Sequence, residues 1–139
     1  MEKTILRSET DSENYQENKD LIFIKLNSES IIEIDLDPAL SVIKKEHLQY
    51  INDQIYNLGG GKKMPVYISI SGYITLDHSA KKYRLSSEYA QYRLANAFLI
   101  DTFSKALLYN FYLESNTQLV PVNPFSLKHT AFNWLKTFM

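Results

Sequence analysis

The sequence predicts an α/β domain with a mixed, largely parallel sheet of about five strands, opened by a β-hairpin and covered by helices. Two short runs rich in β-branched residues, at 21–26 and 31–36, follow each other closely and predict the hairpin. After them, apolar residues at helical spacing alternate with short strand-like runs up to the C-terminus. Strands and helices that alternate in this way build parallel strands joined by crossover helices.

The bulk composition narrows the class of protein. The 139 residues fit one domain, and the net charge of −1 gives no field that would draw nucleic acid or an anionic membrane. The sequence has no cysteine, which excludes disulfides, thiolate metal sites and cysteine nucleophiles. It has no signal-peptide pattern and no apolar run long enough to span a bilayer. We therefore expect a cytoplasmic protein.

The first 20 residues are predicted to form a polar N-terminal tail, and the α/β domain is predicted over 21–139. The tail is rich in Ser, Glu and Asn, and its few apolar residues cannot bury enough surface to offset the cost of ordering the chain. Deleting residues 1–18 should therefore leave the melting temperature unchanged in a thermal unfolding experiment. A clear drop would mean that the tail contributes a strand or an arm exchanged between subunits.

The first half of the domain follows a clear order. A turn over 27–30 separates the two hairpin strands, and Pro38 ends the second because proline cannot donate to a ladder. A helix is predicted from about Lys44 to Leu58, since its apolar residues recur at spacings of three and four. Glycines at 59–61 end that helix, and the run MPVYISI at 64–70 is typical of a buried central strand.

The second half is predicted as shorter pieces. A helical turn covers 80–84, Ser86 or Ser87 caps a helix over 88–95, and 97–100 forms a strand. A helix runs from 101 or 102 to about 113, and the last strand covers 118–122, with Pro121 indicating an edge position. Ser126 caps the final helix, whose apolar stripe includes Trp134, which is expected to pack on the sheet.

No motif in the sequence supports catalysis. The segment Gly59–Lys63 resembles a phosphate-binding loop only superficially, because it precedes a strand, whereas such loops join a strand to a following helix. The three histidines are far apart in sequence and lack the spacing of metal ligands. Asp77, His78 and Ser79 are contiguous, and neighbours along a chain rarely converge on one reacting atom. We expect no metal, no cofactor and no enzymatic activity.

The aromatic helix predicted after residue 101 is the most distinctive feature of the second half. Its large side chains are spread around most of its circumference, more widely than one sheet face can cover. These residues are either core, or part of a protein interface or an apolar pocket, and a homodimer formed through this helix is the expected assembly. The candidate residues are Phe103, Leu107, Tyr109, Phe111 and Tyr112.

Four segments in a defined order resemble a known family. They are the hairpin ending IIEIDL, the helix and strand reading KKMPVYISISG, the segment SAKKYRLSSEYAQYRLANAFLI, and the C-terminal FSLKHTAFNWLK. Together they span about residues 21–138 and resemble the small bacterial STAS-like, or SpoIIAA-like, domains of unknown function, which are related in fold to STAS and SEC14-type domains. Relatives often carry an Asp after the Pro-Val strand, where Ser69 or Ser71 stands here.

The resemblance implies a non-catalytic regulatory or protein-binding module. In STAS regulatory domains a serine at the start of the helix after a central strand is phosphorylated by a partner kinase, and Ser79 stands at the matching place here. Asp77, His78 and Ser79 therefore form a possible regulatory site, although a serine there could equally be a plain helix cap. The SEC14 side of the resemblance and the many aromatic residues leave a second function open, an apolar small-molecule or lipid-binding domain.

Overall fold

The computed structural model describes residues 20–70, 74–100 and 119–139, and these form an α/β domain. Its strands are β1 (Ile22–Leu26), β2 (Ile32–Leu36), β3 (Val42–Ile43), β4 (Met64–Ile70), β5 (Thr75–Leu76), β6 (Arg93–Leu99) and β7 (Val122–Phe125). Its helices are α1 (Lys45–Gly59), α2 (His78–Arg84), α3 (Ser87–Ala90) and α4 (Lys128–Lys136).

The main sheet has five strands in the order β1-β2-β4-β6-β7. The hairpin of β1 and β2 is antiparallel, whereas β2, β4, β6 and β7 all run parallel. The turn between β1 and β2 is closed by Asn27, whose side-chain oxygen accepts hydrogen bonds from the backbone N–H groups of Glu29 and Ile31. The predicted mixed, largely parallel sheet of about five strands is therefore confirmed.

The larger core lies between the sheet and α1. Leu48, Ile51 and Ile55 of this helix are buried against the sheet. The left-handed backbone of Gly60, with a φ of 64°, ends the helix as the sequence predicts. The facing strand side chains are mostly β-branched, because positions that alternate along a strand point to one face. They include Ile32, Ile34, Val66 and Ile68, all buried.

The opposite face of the sheet carries a smaller core under α4. Ala131 and Leu135 of the helix are fully buried against Tyr67, Ala95 and Ala97. The small alanines of β6 let the helix approach the sheet closely, because little projects from the strand at those positions. The part of this face that lies over β1 and β2 carries polar and exposed side chains instead.

Several predicted boundaries are wrong. Residues 93–95 belong to strand β6, not to the predicted helix over 88–95, because pairing with β4 overrides local helix propensity. The last strand covers Val122–Phe125 instead of 118–122, although its edge position is correct and Pro124 sits within it. Ser126 does not cap α4, whose N-cap is Leu127 without a side-chain hydrogen bond.

A second, two-stranded parallel sheet of β3 and β5 was not predicted. Each strand has only two residues, too short to leave an alternating pattern in the sequence. The pairing matters for position, since the backbone N–H of Asp77 donates to the carbonyl of Ile43. The start of α2 is thereby fixed relative to the segment that leads into α1.

Candidate functional site

The predicted regulatory segment lies at the start of α2, immediately after β5. Asp77 is the N-cap residue of the helix, and its carboxylate oxygen Oδ1 accepts the backbone N–H of Ala80 at 2.9 Å. The hydroxyl of Ser79 donates to the same oxygen at 2.9 Å. His78 and Ser79 are both exposed and Asp77 is half-buried, whereas Ala80 is fully buried beneath them. The three predicted residues therefore form one accessible group anchored by Asp77.

This geometry changes the interpretation of Ser79. A cap residue accepts a backbone N–H of the first turn, and Asp77 performs that role here. The alternative reading of Ser79 as the helix cap is therefore wrong, and its hydroxyl is not needed for capping. The same hydrogen bonds, from the backbone of Ala80 and then from the Ser79 hydroxyl, lower the pKa of Asp77, so the carboxylate is charged at neutral pH.

The surroundings of Ser79 have mixed charge. Lys44 lies near enough to contribute to the lowered pKa of Asp77, and Lys81 and Lys82 follow on the exposed part of α2. A phosphate on Ser79 would carry a charge of about −1.5 to −2 and would lie beside the Asp77 carboxylate. That added repulsion, only partly offset by the lysines, would change the electrostatic surface at this end of the sheet.

The predicted aromatic interface lies outside the described residues. Phe103, Leu107, Tyr109, Phe111 and Tyr112 all fall between 101 and 118, so the predicted use of that helix in a dimer or an apolar pocket stays a prediction.

A second candidate surface is a groove on the α4 side of the sheet. The strand register sets Lys25 opposite Glu33 and Phe23 opposite Asp35, and the next strand places Tyr67 beside Glu33 and Ser69 beside Asp35. These side chains line a cavity of about 750 Å³ that is bounded on one side by Lys128 of α4. The sequence analysis missed this groove, because its residues come from three strands and a helix.

The charges of the groove are only partly neutralised. Lys128 forms an ion pair with Glu33 at 3.0 Å, and Asn27 donates to the same carboxylate at 2.9 Å. Burial acts to raise the pKa of Glu33, but these two hydrogen bonds and the charges of Lys128 and Lys25 lower it overall. Within the described residues, neither Lys25 nor Asp35 has an ion-pair partner.

Tyr67 forms the floor of the groove. Its ring packs edge-on against Phe132 with 5.2 Å between ring centroids. Burial, followed by the negative charges of Glu33 and Asp35, raises the pKa of the Tyr67 hydroxyl, so it remains a neutral phenol. The groove thus combines an aromatic floor with a hydroxyl and charges of both signs, a composition that suits polar partners better than apolar ones.

A buried polar cluster centred on Arg93 is the other feature that the sequence analysis missed. Arg93 is 3% exposed and donates to the side-chain oxygens of Asn52 and Asn96 at 3.0 Å each and to the backbone oxygen of Tyr89 at 3.2 Å. Its guanidinium also lies over the Tyr89 ring, 4.0 Å from the centroid. The cluster joins α1, α3 and β6 and has a structural role, since it lies away from the surface.

The described residues contain neither a group of metal-ligating side chains close enough to hold an ion nor a helix long and apolar enough to cross a membrane.

The arrangement of the sheet and helices defines the class of the protein as a SpoIIAA-like α/β domain. A search of solved structures matches the crystal structure of an uncharacterized protein of the DUF3478 family with a SpoIIAA-like fold, from Shewanella loihica PV-4. The match has a TM-score of 0.56 and 13% sequence identity, and it covers 82% of this chain and 91% of the other. At this identity the likeness establishes the fold alone, which confirms the fold expected from the resemblance.

The family follows from the sequence comparison. The sequence model of DUF7793, a domain of unknown function, matches residues 19–139, so the chain belongs to that family. No curated protein matches the chain.

Proposed function

We propose that this domain is a non-catalytic regulatory module that binds a partner protein at the surface around Ser79, and that phosphorylation of Ser79 controls the binding. A partner kinase would transfer the terminal phosphoryl group of a nucleoside triphosphate to Ser79 Oγ, leaving the diphosphate and releasing the hydroxyl proton. The proposal rests on one observation above all. The Ser79 hydroxyl is exposed at the start of α2, while Asp77 supplies the helix cap.

The position of the segment supports the proposal. It follows the central strand β4 in the chain, and in open α/β sheets the carboxyl ends of such strands are where binding sites form. The SpoIIAA-like fold of the chain is consistent with a STAS-type module. The pairing of β5 with β3 holds the segment in place, so a partner would meet a preformed surface.

The alternative of an apolar-ligand or lipid-binding domain gains no support from the groove on the α4 side. Apolar side chains such as Phe23 and Leu99 also line that cavity, but so do four charged residues, and burying such charges under an apolar ligand would be unfavourable. The charged residues are Lys25, Glu33, Asp35 and Lys128.

Site-specific photocrosslinking in the natural host tests the partner-binding proposal. A benzoylphenylalanine in place of His78 would lie on the proposed surface, and one in place of Leu85 is a matched control, because Leu85 is exposed at the other end of the same helix. We expect a protein adduct of discrete mass at position 78 that is absent at position 85, followed by stoichiometric binding of the purified partner in calorimetry. Identical adduct patterns at the two positions would refute the proposed surface.

Variants of Ser79 test the control step. Ser79→Ala should keep the partner and leave the free energy of unfolding within about 0.5 kcal/mol of the native value, because Asp77 retains the cap. Asp77→Ala, the comparison variant, should lose about 1 kcal/mol of capping. Ser79→Asp should fold normally and weaken partner binding, since it adds a charge beside Asp77. If Ser79→Asp binds the partner as tightly as the native chain, Ser79 is no switch.

A further inference from the structure

The first strand of the sheet has one side without a strand partner among the described residues. β1 lies at one edge of the five-stranded sheet, and among the strands that the structure describes it pairs with β2 alone. The backbone bonds of Leu21 with Asp37 and of Asn27 with Ile31 show that odd-numbered residues of this strand direct their N–H and C=O groups towards β2. In an antiparallel pair the alternate residues point the other way. Ile22, Ile24 and Leu26 therefore direct their backbone groups outwards.

We propose that β1 pairs with β1 of a second copy of the chain. The two strands run antiparallel with Ile24 on the two-fold axis, and the two five-stranded sheets join into one. In this register Ile22 faces the partner's Leu26, Ile24 faces the partner's Ile24, and Phe23 faces the partner's Lys25. This inference is independent of the function proposed for Ser79, which lies elsewhere in the fold.

The side-chain pattern of β1 is self-complementary in this register. The face towards α1 carries Ile22, Ile24 and Leu26, so each position meets an apolar residue of the other copy. All five residues of the strand are paired. A shift that centres the pair on Lys25 would set two lysines directly opposite each other, which is destabilising, and it would leave one end of each strand unpaired.

The charges on the other face also match across the axis. Phe23, 54% exposed, lies between Asp35 on its own sheet and the partner's Lys25. A lysine stem can lie over the Phe23 ring and bring its ammonium group to Asp35, which combines a cation–π contact with an ion pair. Within one copy neither Lys25 nor Asp35 has an ion-pair partner among the described residues. In the two-fold dimer Lys25 of each copy can pair with Asp35 of the other copy, so the interface contains two such ion pairs.

The space beside β1 is consistent with an added strand. The cavity in the groove extends along β1, where it is lined by Ile22, Phe23, Ile24 and Lys25. On the other face of the sheet it reaches Gln54 of α1. An added strand needs room on both faces of the edge because its side chains alternate. A lysine on an edge strand often prevents such pairing. Here Lys25 disfavours only the registers in which it would lie directly opposite Lys25 of the other copy.

Single cysteine variants test the register, and the natural absence of cysteine makes the test clean. In a hydrogen-bonded antiparallel pair the Cα atoms lie about 5.5 Å apart, within the range of about 4.4–6.8 Å that disulfides require. Ile24→Cys should therefore form a disulfide-linked dimer under mild oxidation, in clearly higher yield than a cysteine farther from the axis. Leu26→Cys is the matched control on the same face, since its Cα atoms would be about 14 Å apart across the axis.

Charge-swapped chains test the cross-axis ion pairs. Lys25→Glu alone sets a second carboxylate against Asp35 of the other copy, and Asp35→Lys alone sets a second ammonium group against Lys25 of the other copy. Each homodimer should therefore weaken by about tenfold.

A mixture of the two charge-swapped variants provides the matched control. One interface of the heterodimer then pairs the two native residues, and the other pairs the two introduced residues of opposite charge, so the heterodimer should form at close to native strength. Sedimentation of the separate and mixed full-length chains measures all three associations, with circular dichroism as the check that each variant folds.

The expected result is a native dimer, a cross-link specific to position 24, and association restored in the mixture. A native chain that stays monomeric at about 100 µM, well into the range of weak specific complexes, would overturn the inference. A dimer in which positions 24 and 26 cross-link equally, or in which the charge swaps have no effect, would also overturn it, and would direct attention to the helix predicted after residue 101.

Discussion

Replacing Arg93 with Ala should lower the free energy of unfolding by about 3–5 kcal/mol, a large fraction of the stability of a domain this size. The substitution removes a buried side chain and leaves a cavity. It also leaves the side-chain oxygens of Asn52 and Asn96 without their donor inside the protein. An unsatisfied buried acceptor costs about 1–3 kcal/mol by itself.

Arg93→Met separates packing from polarity. Within the described residues no carboxylate pairs with Arg93, and burial lowers the pKa of its guanidinium, which is the sign of an unfavourable environment for the charge. A methionine fills much of the cavity and removes the buried charge altogether. We therefore expect Arg93→Met to lose clearly less stability than Arg93→Ala, even though both variants break the same hydrogen bonds.

Urea titrations of the two variants and the native chain measure the difference. Equal losses would mean that the hydrogen bonds of Arg93 outweigh its packing and desolvation, contrary to the expected order. A loss below about 1 kcal/mol in Arg93→Ala would show that the cluster relaxes or admits water and does not hold α1, α3 and β6 together.

The elements that the sequence predicts well are those whose pattern is local. The hairpin and α1 fall into this group, because alternating β-branched residues, helical spacing and a terminating glycine run appear directly in the sequence. The central strand at 64–70 is also predicted at its observed bounds. Its apolar run of seven residues is long enough to indicate a strand that is buried on both faces.

Features that depend on distant residues could not be predicted in this way. The start of β6 at Arg93 is set by its pairing with β4, and the cap at Asp77 is distinguished from one at Ser79 only by backbone geometry. The Arg93 cluster joins Asn52 to a residue 41 positions away, and single residue types carry no signal for such contacts. The groove likewise depends on the register in which the strands pair, and this register cannot be derived from the sequence alone.

The final helix shows how burial separates two residues that share an apolar stripe in the sequence. Trp134 is expected from that stripe to pack on the sheet, but in the structure it is only half-buried. Its ring lies between those of Phe125 and Phe138, with centroid distances of 5.5 Å and 4.8 Å. Leu135 is fully buried beneath the helix and contacts the alanine-lined floor of the smaller core. The position that holds the helix to the sheet is therefore Leu135.

Leu135→Ala should lower the free energy of unfolding by about 2–5 kcal/mol, because the sheet and helix cannot close around the cavity it leaves. Trp134→Ala should cost no more than about 3 kcal/mol, the lower end of the range for a buried tryptophan, since part of its surface is already in water. Denaturant titrations of both variants, with Asn133→Ala as an exposed control on the same helix, give the order directly. If Trp134→Ala is the more damaging of the two, the aromatic contacts with Phe125 and Phe138 stabilise this side of the domain more than burial of Leu135 against the sheet does.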